Sequence, residues 1–185
     1  MSSETRPPLK PPKGFRLEED GQRATLTWRW YSTDTVALMI VSVFWTVFLL
    51  EKHSRLSLLE LFFFSSVAGA FVYATLMGLL NSTRVEVGNG ELRIQHGPLP
   101  FWRMTRSLTM SGGSLTRLYG EEFRNAKGGL SYTLLALDTR GRQVKLVSRL
   151  ENKEQVLYLE RFLEHRLGIE DRPVKGEVAQ RDQVA

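Results

Sequence analysis

The residues able to do chemistry are sparse and scattered. The chain has 185 residues, no cysteine and three histidines, His53, His96 and His165. Without cysteine there is no disulfide, zinc–thiolate centre, iron–sulfur cluster or cysteine nucleophile. The histidines are far apart and show no metal-ligand spacing, so each reads as a surface or packing residue. No serine sits in a nucleophile elbow, and no GxxxxGK[ST] phosphate loop is present. Gly112-Gly113 and Gly128-Gly129 read as turn formers. No catalytic residue, cofactor or metal is expected, and the chain reads as a non-enzyme.

What remains is surface chemistry. Phe101-Trp102 stands beside Arg103 and Arg106, and a second basic loop carries Arg124 and Lys127. Such groups suit lipid headgroups, an acidic protein surface or stacked bases. The formal charge of +5 is concentrated: Ser82 to Gly168 holds fourteen Lys/Arg against nine Asp/Glu. An ordinary solvated surface accounts for any single one of these charges equally well.

The elements that hold these groups are very uneven. Thr35–Leu50 and Leu61–Leu80 are free of charge, and each contains ten Leu, Ile, Val or Phe residues. At about 0.3 to 0.6 kcal/mol for each such residue, insertion into a bilayer is favoured by roughly 3 to 6 kcal/mol per run. Transmembrane helices are therefore expected over 35–50 and 58–80. The first is short and reaches spanning length with Trp28, Trp30 and Tyr31 in the aromatic belt at the membrane interface. A buried hairpin in a soluble core is the alternative, but too little other apolar sequence exists to surround two such helices. The short polar link Glu51–Ser57 makes the helices antiparallel neighbours, with Gly69, Gly78, Ser65, Ser66 and Ala68 allowing close approach. Glu60 lies at the start of the second helix and reads as a solvated helix start. Tethering of the chain to a bilayer lowers the case for nucleic acid, which is not expected as a partner.

Residues 1–14 contain four prolines and read as disordered, with no signal peptide. Residues 15–34 carry a hairpin turning at Asp20-Gly21, and Gly88-Asn89-Gly90 turns a second hairpin between Thr83–Val87 and Glu91–His96. His96-Gly97-Pro98-Leu99-Pro100 must leave the ladder, since proline donates no hydrogen bond. Further strands are expected at Met104–Leu108, Ser114–Glu122, Ser131–Asp138 and Gln143–Ser148. A final helix is capped by Asn152 with Gln155, buries Val156, Leu159, Phe162, Leu163 and Leu167, and stops at Gly168. The folded domain is 82–168, and 169–185 is a polar tail. Arg16, Arg23, Arg29, Arg84 and Arg93 flank the terminal sides of the runs against Lys52 and Arg55 in the link. The positive-inside rule then puts both termini in the cytoplasm.

Six strands and a capped helix resemble a pleckstrin-homology-like domain. The segments Leu26–Trp30, Gly78–Asn81, His96–Pro100, Val144–Ser148 and Leu167–Val174, with the two apolar runs, resemble a bacterial family of uncharacterised inner-membrane proteins carrying that domain. The resemblance covers about residues 15–177 and implies a mainly-β barrel with a C-terminal helix. It also implies that the early hairpin joins the barrel and the membrane pair interrupts it. The turns Glu19–Gln22 and Gly88–Gly90 lack the basic residues of the phosphoinositide-binding members. The expected role is docking of a protein partner at the bilayer, with anionic-lipid sensing or service as an accessory subunit of a membrane enzyme or transporter as alternatives.

Overall fold

The computed structural model describes residues 10–100, 107–124 and 128–169. Its strands are β1 (Phe15–Asp20), β2 (Arg23–Arg29), β3 (Ser82–Gly88), β4 (Glu91–Gly97), β5 (Ser107–Ser111), β6 (Leu115–Arg124), β7 (Leu130–Asp138) and β8 (Gln143–Leu150). The helices are α1 (Thr33–Lys52), α2 (Leu58–Leu80) and α3 (Lys153–Leu167). Contacts divide the described residues into two units. One draws on residues 10–27, 84–95, 107–124 and 128–169, the other on residues 28–83 and 96–100.

The helical unit is a pair of long apolar helices. α1 runs two residues beyond each end of the uncharged stretch, because Asp34 and Lys52 are placed where a helix tolerates charge. Its 20 residues span about 30 Å at 1.5 Å per residue. α2 begins on a capping box: Glu60 accepts from the Ser57 backbone at 2.9 Å and hydroxyl at 2.7 Å. The helices approach closely where Gly78 faces Thr35; a Cβ on Gly78 would lie 2.5 Å from the Thr35 hydroxyl oxygen. Ser42 and Thr75 share a hydrogen bond of 2.8 Å between the helices, and Trp45 stacks on Phe64 and Phe71.

The eight strands form two antiparallel sheets, ordered β1-β2-β3-β4-β5 and β6-β7-β8. β2 and β3 are neighbours although α1 and α2 lie between them in the chain. Asn89 and Gly90 both have positive φ, the signature of a two-residue I′ turn, which sets Gly88 against Glu91 and, by counting outward, Thr83 against His96. The closed barrel implied by the resemblance is not formed among the described residues. After β5 the chain turns through Gly112–Ser114, and β6 pairs with β7 alone. The strand expected at Met104–Leu108 is found at Ser107–Ser111, with residues 104–106 outside the described residues.

In the β unit the apolar rows are Ala24 and Leu26 on β2, Val85 and Val87 on β3, and Leu92 and Ile94 on β4, all buried. In the second sheet Leu118, Leu134, Ala136 and Val147 are buried, and α3 contacts all three of its strands. Val156, Leu159 and Leu163 of α3 are fully buried, while Phe162 is half-buried and stacks on Tyr158. Gly168 ends α3 in the left-handed conformation at φ 66°. β8 carries two bulges opposite β7. The first lets consecutive Leu146 and Val147 both be buried, and the second lies beside Arg149 at φ 63°.

Candidate functional site

A polar cluster occupies the point where the helical pair returns to the strands. Trp30 follows β2 and Asn81 is the one residue between α2 and β3; the Trp30 N–H donates to the Asn81 carbonyl at 3.0 Å. Asn81 is fully buried, and its side chain clamps one peptide unit of the loop after β4. Its Oδ1 accepts from the Leu99 N–H at 2.7 Å, and its Nδ2 donates to the Leu99 carbonyl at 3.0 Å. The Tyr73 hydroxyl of α2 donates to the Pro100 carbonyl. Prolines deprive this loop of ladder bonds, and the asparagine replaces them.

Beside the clamp runs a short relay. The Trp30 indole N–H donates to the Thr83 hydroxyl at 2.9 Å, which lies 3.0 Å from His96 Nδ1. Indole only donates, so the Thr83 oxygen accepts from it, and the hydroxyl completes the relay with a neutral His96 as donor or acceptor according to the imidazole tautomer. Burial pushes the His96 pKa below its ordinary value and favours this neutral form. The Trp30 and His96 rings lie 6.1 Å apart.

Three buried carboxylates belong to the β unit. Glu160 of α3 accepts from the Gly120 N–H of β6 at 3.0 Å, and Glu164 lies one turn further along α3. Asp138 holds the β7–β8 turn by accepting from the Arg142 and Arg140 backbones and from Arg142 Nε, each at 2.8 Å. The Arg142 N–H above all holds its carboxyl below the usual carboxylate range.

Of the residues singled out from sequence, Arg124 ends β6, exposed and opposite Leu130. Phe101, Trp102, Arg103, Arg106 and Lys127 lie outside the described residues. Trp28 and Trp30 are half-buried, and Tyr31 is exposed. Trp30 gives its indole proton to the protein. His53 and His165 are exposed, in the helical link and in α3. Among the described residues no three His, Asp or Glu side chains converge as a metal set. Residue spacing along the chain does not disclose the clamp; its one local signal is an asparagine that follows an apolar helix at once and precedes a strand. The clamp positions backbone, with both polar atoms of the Asn81 side chain directed at Leu99. Compared with known proteins, the chain matches no family model and no curated sequence.

Proposed function

We propose that the chain is an integral protein of the bacterial inner membrane, crossing it as an α1–α2 hairpin with both termini cytoplasmic. On this reading it presents a pleckstrin-homology-like domain that docks a protein partner at the bilayer and catalyses no reaction. The observation that carries the reading is the exposure of the helices. Only 11% of the apolar window of α1 and 17% of that of α2 are buried, and Ile40, Val43, Phe44, Phe62 and Phe63 face outward. A core helix of a soluble protein would hide such surface; a hydrocarbon layer supplies the missing surroundings. The arginine bias across the helix ends supports the orientation. Docking is favoured over catalysis because the buried side chains of Asn81, Glu160 and Asp138 all bond backbone of their own chain.

Reporters fused at His53 and after Gly168 should read opposite sides of the membrane, and the same side for both would break the hairpin. Crosslinking in intact cells followed by detergent pull-down should recover one specific protein; recovery of none would end the docking reading. The basic excess from Ser82 to Gly168 favours a second reading, anionic-lipid sensing, in which vesicle binding by the β domain rises with anionic lipid and collapses in salt.

A further inference from the structure

The two sheets have four edges, and three are protected. β1 carries Arg16, Glu18, Glu19 and Asp20, and α3 side chains lie against it, with Tyr158 on Phe15 and Arg166 on Glu19. β6 has its Gly120 N–H taken by Glu160. β8 has two bulges and carries Lys145 and Arg149. Charges, bulges and covering groups are the devices that keep an edge from pairing with another chain.

β5 lacks charges and bulges. Ser107-Leu108-Thr109-Met110-Ser111 contains no charge and no proline, and its register with β4 is unbroken from Glu91↔Ser111 to Gln95↔Ser107. Among the described residues β4 is its one strand partner; the Ser114 hydroxyl donates to the Ser111 carbonyl at 2.6 Å at the strand end, and Ser107, Thr109 and Ser111 are exposed.

The strand also reads nearly the same in both directions. Under a two-fold axis through Thr109, Ser107 meets Ser111 of the second copy, Leu108 meets Met110, and Thr109 meets Thr109. One face of the pair then carries only Ser and Thr, the other only Leu and Met. A charge at the axis would meet itself, and there is none. Thr–Thr and apolar cross-strand pairs are favourable, and an isologous interface requires this self-complementarity. We propose that the free edge of β5 is a homodimer interface, where two copies pair antiparallel about Thr109 and join their five-stranded sheets into one of ten strands. Five residues are a short contact. On the membrane reading above, confinement of both copies to one bilayer supplies the effective concentration it needs.

The absence of cysteine makes a clean test possible. The full chain with Thr109→Cys is oxidised with copper phenanthroline in native membranes and in phosphatidylcholine vesicles. Glu18→Cys on the protected β1 edge serves as the collision control. Opposed residues of an antiparallel pair lie within disulfide range, so Thr109→Cys should form a homodimer at least about ten-fold faster than the control. In parallel, light scattering on the purified protein should find a dimer for the wild type and a monomer for Thr109→Lys. Equal cross-linking rates, an adduct with a different protein, or a Thr109→Lys variant that remains dimeric would each overturn the proposal. Carbonate extraction of the same membranes tests the membrane reading separately, and cross-linking is read in whichever fraction holds the chain.

Discussion

Replacement of Asn81 gives the sharpest test of the junction between helix and strand. Its two side-chain bonds, 2.7 and 3.0 Å long, hold both polar groups of Leu99, and the residue is fully buried. Each bond contributes about 0.5 to 1.5 kcal/mol net, and a buried group left without its partner costs about 1 to 3 kcal/mol. Leu99 is half-buried, so water recovers part of the loss, and Asn81→Ala should destabilise the loop by about 2 to 3 kcal/mol. Asn81→Asp keeps an acceptor for the Leu99 N–H but sets an anionic oxygen against the Leu99 carbonyl, and it should cost at least as much. Both variants keep the backbone bonds from Asn81 to Met77 and from Trp30 to Asn81, so the helix end itself should survive. The assay is hydrogen exchange of the Leu99 amide in the detergent-solubilised protein. A loss of about 2 kcal/mol in local opening free energy accelerates exchange about 30-fold. Unchanged exchange in both variants would refute the assignment of the clamp to this side chain.

Two further outcomes follow from the same geometry. His96 is held neutral below its ordinary pKa, so between that lowered value and roughly pH 6.5 the unfolded chain binds the extra proton; stability should rise with pH across this window and be flat above it. Thermal unfolding from about pH 5.5 to 7.5 should show this slope in the wild type and a reduced one in His96→Gln, and equal slopes would remove His96 as the source. In the β unit, a Cβ on Gly120 would lie 2.7 Å from Val156 Cγ2 and 3.4 Å from Glu160 Oε2. Gly120→Ala should therefore lower stability by about 1 to 3 kcal/mol in urea unfolding, with Val156→Ala restoring part of the loss in the double variant; no recovery would place the strain elsewhere.

The most local features were legible from sequence for a physical reason: they depend on neighbours a few residues away. The apolar runs announce α1 and α2, Asn89-Gly90 announces the β3–β4 turn, and Asn152, Gln155 and Gly168 bracket α3. Side-chain period fixes which faces of β3 and β4 are buried, because two-residue alternation survives in a regular strand. The same period fails in β8, where a bulge puts Leu146 and Val147 together in the core. Tertiary structure decided what depends on distant partners. Asn81 and Leu99 meet only because a helix end and a proline-broken loop converge, and Gly120 meets Glu160 only when α3 packs on the second sheet. The pairing of β2 with β3 is of the same kind, since the whole α1–α2 hairpin separates them in the chain. Local composition fixes where an element begins and ends; the destination of its buried polar groups is fixed only when the elements pack.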